Sequence, residues 1–223
     1  MRPRLFVHVG MEQYKMSIQD FFLLFFPKLD DIVEFTNEQA RAVWNGNWSD
    51  MDRREFERWL GIAINKCRYP DMSMPDYFRE SHVYGVNPGP QMARYMSLRR
   101  FNHIKLALCF QSPTFIGKHE DPWWRVAKFM DDFNSLRELS ISPGWLMCID
   151  ETMIKWRGQG LPWLAWVPRK PEEHGVEMWT VADTATGIMM HMDLNKGRDL
   201  NKEKDFYAQY GATTAATLRG VQP

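Results

Sequence analysis

The sequence predicts an α/β chain: a mainly helical amino-terminal region over residues 1–142, then an antiparallel three-strand meander and a crossover helix over residues 143–223. Three observations carry that expectation. Apolar residues recur at helical spacing through the first region. The run from Leu146 to Ile154 contains no Pro or Gly and follows a Pro143-Gly144 break, which marks a strand buried on at least one face. Two later apolar segments, Val176 to Asp183 and Ile188 to Leu194, are joined by Asp183-Thr-Ala-Thr-Gly187, a good turn sequence.

The elements follow in order. Ser17 to Phe26 begins with a cap residue, carries Ile18, Phe21, Phe22 and Phe25 at helical spacing, and stops at Pro27. Asp31 to Trp44 reads as a second helix, ended by Asn45-Gly46-Asn47. Ser49 or Asp50 can cap the next, in which Phe56, Trp59, Leu60, Ala63 and Cys67 form an apolar stripe. Val86-Asn-Pro-Gly-Pro90 is a loop by composition, and Met92 to Phe110 reads as one longer helix with Tyr95, Leu98, Phe101, Ile104 and Leu108 inward. Gln111 to Asp121 is irregular. Pro122 then suits a helix start, and Val126, Phe129, Met130, Phe133 and Leu136 build an amphipathic helix before the central strand. Leu164 to Pro168 is a further short apolar segment, Gly158-Gln-Gly160 a plain turn, and Phe206 to Leu218 the crossover helix.

Composition bounds the function. A chain of 223 residues with 44% hydrophobic and 14% aromatic content supports a real core. Ten Trp and fifteen Met are explained first by dense packing around the sheet. The net charge is zero, so bulk charge gives no support to nucleic-acid binding. Cys67, Cys109 and Cys148 are widely spaced, which argues for free thiols and against a zinc site, and the six His share no ligand spacing. The apolar run Phe21 to Phe26 is too short for a signal peptide or a membrane span.

Within the central strand, alternation puts Cys148, Asp150, Thr152 and Ile154 on one face and Met147, Ile149, Glu151 and Met153 on the other. Adjacent acids therefore do not chelate one ion together from this strand. An ionised Asp in mid-strand is costly unless paired, hydrogen-bonded or bound to a cation. The plain alternatives are an exposed sheet face or a local ion pair. Asp183, at the turn, is explained by an Asx-type bond to its own backbone.

Cys148-Ile-Asp150-Glu-Thr-Met, then Arg157-Gly158, Lys170-Pro171 and His174-Gly-Val-Glu-Met-Trp-Thr-Val-Ala-Asp183-Thr-Ala-Thr-Gly187 form an ordered set that resembles piggyBac-type transposases. Trp59-Leu-Gly-Ile62, Pro75-Asp-Tyr-Phe78 and Met96-Ser-Leu-Arg-Arg-Phe101 add to the resemblance, with Phe78 where Trp is usual. It implies that the sheet is the opening of an RNase H-like catalytic domain, that residues 1–142 serve dimerisation and DNA binding, and that Asp150 is the first of three catalytic, metal-binding aspartates. It also implies Mg²⁺ as cofactor, DNA as partner, a possible homodimer, no membrane and a nuclear location. Strand cleavage of this kind uses two divalent ions about 4 Å apart, held by several carboxylates, and one Asp cannot hold both.

The resemblance runs from about Phe21 to Leu218 but covers only the first part of the family's catalytic domain. The expectation is a truncated transposase product, inactive in cleavage and not stably binding the ion. A non-catalytic DNA-binding or dimerisation module, and a non-functional remnant of a decayed element, are the alternatives. Arg99 and Arg100 are candidate phosphate contacts, and Lys155, Arg157, Arg169 and Lys170 could line a phosphate track or simply form a solvated face. Glu172, Glu173 and Glu177 stand where the family tends to be more basic.

Overall fold

The computed structural model describes residues 4–5, 17, 19, 22–23, 26–80, 89–116, 120–156, 161 and 163–221. The expected helix over 17–26 and the expected loop over 86–90 lie largely outside the described residues, and the turn at 158–160 lies wholly outside them. The chain forms two compact units, Lys28–Phe115 and a second made of Met1–Pro27 with Ile116–Pro223.

The first unit is helical. α1 spans Leu29–Trp44 and α2 spans Arg53–Lys66. The cap of α2 is Asp52, whose carboxylate accepts from the Glu55 N–H at 2.7 Å, rather than Ser49 or Asp50. Asp50 is instead drawn off by the Arg41 guanidinium, with two contacts of 3.0 Å. The short α3, Met74–Phe78, starts on Ser73 with a Pro in its first turn, where a missing N–H costs nothing. The long helix expected from Met92 is broken. A 3₁₀ turn covers Met92–Arg94, and α4, Leu98–Ala107, begins only there because the Ser97 hydroxyl accepts from the Arg100 N–H at 3.1 Å. Tyr95 consequently points outward, 59% exposed.

The buried side of α2 is Phe56, Trp59 and Ile62, while Cys67 is exposed. Trp59 stacks on Phe56 and Phe101, Phe78 packs on Phe101, and Tyr77 packs on Phe78. The Trp59 Nε1–H donates to the Phe101 carbonyl and the Tyr77 hydroxyl to the Ile62 carbonyl, so these rings are buried without orphaned polar atoms. Each such side chain contributes about 2–3 kcal/mol of burial. Phe78 therefore fills the core position where Trp was expected by resemblance.

The second unit holds the sheet. β1 (Arg4–Leu5) pairs antiparallel with β2 (Ile141–Ser142), which follows the helix α5, Trp124–Ser140. β3 spans Met147–Lys155, β4 Ala165–Trp166, β5 His174–Asp183 and β6 Met189–Leu194. β5 is central, antiparallel to β3 on one side and to β6 on the other, so the expected three-strand meander is present; the two-residue β4 adds a fourth piece beside the start of β5. β3 and β5 run so close at one end that a Cβ on Gly175 would collide with the Ile154 carbonyl, which is why that position is Gly. The β5–β6 turn closes through the Gly187 N–H to the Asp183 carbonyl at 2.8 Å, with Gly187 at φ 71.

Past β6 come α6, Arg198–Lys202, and α7, Tyr207–Val221, kinked at Gly211. α5 covers the sheet face carrying Val176, Met178, Met192 and Leu194, forming a core with Trp123, Val126 and Met130. α7 covers the other, with Gly220 pressed on Val181. No described helix is long and apolar enough to cross a membrane.

Candidate catalytic face around Asp150

β3 alternates as its sequence requires: Met147, Ile149, Glu151 and Met153 are half-buried, and Cys148, Asp150, Thr152 and Ile154 are exposed. Asp150 thus sits exposed in mid-strand, at the β3 end of the face that α5 covers over β5 and β6. It lies opposite Thr180 of β5, which in turn faces Met192 of β6. The Thr180 hydroxyl donates to the Asp150 carbonyl at 3.3 Å. The Asp150 carboxylate bends to the strand edge, and its Oδ1 accepts from the Glu151 N–H at 2.8 Å.

The remaining acids of the sheet belong to the opposite face. Glu151, Trp179 and Asp193 form one cross-strand row there, and Asp183 pairs in register with Met147. Glu151 accepts from Lys170 Nζ at 3.0 Å and stands 4.0 Å from Arg169. The Lys170 hydrogen bond, and behind it smaller contributions that include hydrogen bonding with Asp150, hold the Glu151 carboxyl below the usual range.

Asp183 is buried. Its carboxylate accepts from the Thr186 hydroxyl at 2.6 Å, the Thr186 N–H at 2.8 Å and the Gly144 N–H at 2.9 Å, and these bonds, Thr186 first, hold it ionised below its ordinary range. It locks the turn, as an Asx residue does.

Asp193 has no forewarning in the sequence. Lys204 Nζ lies 2.5 Å from its Oδ1, and Arg219 donates to its Oδ2 from Nη2 at 2.5 Å and Nε at 3.1 Å. Burial pushes this carboxyl up, and the attraction of the two cations outweighs burial and brings it below its ordinary value. The partners stand 11 and 26 residues away in the chain, so no spacing rule points to them.

A divalent metal centre needs several oxygen ligands converging on one point. Among the described residues, the neighbours of Asp150 on its face are Cys148, Thr152, Met178, Thr180 and Ala182, with no second carboxylate, and no group of three or more His, Cys, Asp or Glu could hold a metal ion. The donors among the described residues do not fit a pair of divalent ions.

The basic candidates are dispersed. Arg99, on α4 of the first unit, is exposed. Its neighbour Arg100 is committed to structure: two contacts of 2.8 and 2.7 Å to Glu55, a bond to the Ser49 carbonyl, and its guanidinium laid 4.1 Å over Trp48. Lys155 pairs with Glu172, Lys170 with Glu151, and Arg169 is 81% exposed. Arg157 lies outside the described residues.

The family model described as Transposase IS4 matches residues 17–222. Among solved structures, the cryo-EM structure of a piggyBac transposase synaptic complex with hairpin DNA is similar to this chain, with a TM-score of 0.66 and 24% identity over 83% of this chain and 40% of that one. This chain therefore spans about two-fifths of that protein's length. No curated protein matches.

Proposed function

We propose, on the premise that the chain belongs to the Transposase IS4 family and has a fold similar to that of a piggyBac transposase, that this transposase-derived protein holds DNA without cutting it on its own. The observation that carries the reading is Asp150, an exposed carboxylate in the middle of the first long strand of the sheet, with no second acid on its face among the described residues. In this reading the sheet is the opening of an RNase H-like domain, and Asp150 is one ligand of a divalent-metal centre that the described residues do not complete. Mg²⁺ would supply electrostatic stabilisation at phosphorus when bound, and Asp150 would offer it one oxygen ligand. The first unit presents Arg99 to the DNA backbone. Arg169, exposed beside Glu151 of β3, offers a second phosphate contact. The protein works in the nucleus, as a monomer or a homodimer; sedimentation and imaging of a tagged chain check these two points.

A gel shift on random-sequence duplex DNA across a salt series tests binding. Arg99→Ala is expected to weaken it at every sequence and lower the salt slope by about one. Arg100→Ala is a poor probe, since it strands Glu55. Supercoiled plasmid incubated with Mg²⁺ or Mn²⁺ tests cutting: nicking that disappears in Asp150→Ala would overturn the proposal, and an unshifted duplex at low salt would remove the binding half of it.

A further inference from the structure

α2 buries Phe56, Trp59 and Ile62 in the first unit, and its opposite side carries a different pattern. Arg54, Arg58 and Gly61 follow one another at i, i+4 and i+7, so they share one exposed stripe, and Arg68, in the turn that ends the helix, extends it. Ile64, 51% exposed, stands one turn beyond Gly61 on the same side. Arg54, Arg58 and Arg68 have no ion pair or side-chain hydrogen bond with any described residue. Their neighbour Glu57 is taken by Arg53 at 2.9 Å. Three guanidinium groups on one side of one helix are thus left for solvent or for an anion.

Gly61 is the unexplained member of the stripe. A glycine inside a helix weakens it relative to alanine, because more backbone freedom is lost on folding. The backbone at Gly61 is helical with no positive φ, and an added Cβ would meet nothing within 4 Å. At Gly175 and Gly220, by contrast, an added Cβ would strike a carbonyl or a packed side chain. Neither local conformation nor packing among the described residues requires the missing side chain of Gly61.

We propose that this side of α2 is a docking face for an acidic amphipathic helix of another protein, which crosses α2 at Gly61. Helix axes pack about 8–10 Å apart according to the side chains between them, and a crossing over a residue without Cβ falls at the close end. The partner's carboxylates pair with Arg54, Arg58 and Arg68, whose planar forks suit two-point contacts, and its apolar stripe covers Ile64. A second copy of the same face would set Arg against Arg. A nucleic-acid backbone would satisfy the cations, but long arginine side chains reach phosphates at a distance and leave both the gap at Gly61 and the exposed Ile64 unused. The inference goes beyond the DNA contact assigned to Arg99 and does not depend on it, since Arg99 belongs to α4.

The test uses the full chain and fluorescence anisotropy of a labelled Ala-rich helical peptide of about 20 residues, with a Leu stripe flanked by Glu. A peptide with Lys in place of Glu and a random-sequence DNA duplex are measured beside it. The wild type is expected to bind the Glu peptide, less tightly as salt rises, and not the Lys peptide. Gly61→Leu should weaken the Glu peptide about tenfold or more and leave the duplex unchanged, and Arg54→Ala combined with Arg58→Ala should weaken the peptide about tenfold. Gly61→Ala should raise the melting temperature, because only the backbone entropy of the unfolded chain changes. Failure of the wild type to bind the Glu peptide would overturn the proposal, as would unchanged affinity in Gly61→Leu or in the double Arg variant. A lower melting temperature for Gly61→Ala would overturn it by giving Gly61 a packing role inside the protein, and this readout stands if Gly61→Leu fails to fold. Loss of the duplex in Gly61→Leu, with the Glu peptide unaffected, would hand the face to nucleic acid and overturn the assigned occupant. Loss of the duplex in Arg99→Ala bears on DNA holding alone.

Discussion

On β6 the Asn134 side chain of α5 closes the sheet edge by itself: its Nδ2–H donates to the Met192 carbonyl and its Oδ1 accepts from the Met192 N–H, both at 2.9 Å. On β3 the same two backbone functions at Glu151 are shared between Asp150 and Lys170. Each edge is therefore shielded against stray pairing, but by different chemistry. Asn134 is a neutral amide on a 17-residue helix, and the next residue on β6, Asp193, is anchored by Lys204 and Arg219. At Glu151 the two groups are charged side chains near the surface, where an ion pair contributes about 0–1 kcal/mol.

The largest expected effect breaks the strong side. Asp193→Ala leaves Lys204 and Arg219 buried without their anion and should cost about 3–5 kcal/mol in chemical denaturation of the sheet-bearing unit; a loss under about 1 kcal/mol would mean that β6 is not anchored as described. Asn134→Ala uncovers both Met192 groups and is expected to cost about 1–3 kcal/mol, with some self-association on sedimentation.

Acid should reach the β6 side through Asp193. Its folded pKa is depressed, so its stabilisation is complete above the unfolded carboxylate value of about 4 and is lost as pH falls through the lower folded value. Thermal scans followed by circular dichroism should show a flat melting temperature down to about pH 5 and a fall below about pH 4, with a smaller fall in Asp193→Asn. Lys170→Met has the smallest effect on stability, about 1 kcal/mol or less in chemical denaturation; a loss as large as that of Asn134→Ala would reverse the ranking of the two sites.

Much of this architecture is legible in the chain. The strand expected over 146–154 is β3 at 147–155, and the turn expected at Asp183 to Gly187 is there, with Asp183 capping it. The helix boundaries were less legible. Ser97 and Asp52 cap helices that apolar spacing alone extends or starts elsewhere, since a single side-chain oxygen decides where a helix begins. Asp150 was picked out by its place in an apolar run, and its exposure could not be read from that run, because a strand buried on one face and one buried on both share the same apolar residues.

What the sequence determined by itself is whatever repeats locally: the two-residue alternation of β3, the helical stripes, the turn that joins β5 to β6. Such patterns depend only on near neighbours along the backbone. Tertiary structure alone decided which polar groups meet. Asn134 reaches Met192 across 58 residues, Arg219 reaches Asp193 across 26, and Lys170 reaches Glu151 across 19. Those partners are set by how helices and loops pack on a finished sheet, and a hydrogen bond between distant residues leaves no periodic trace in the chain.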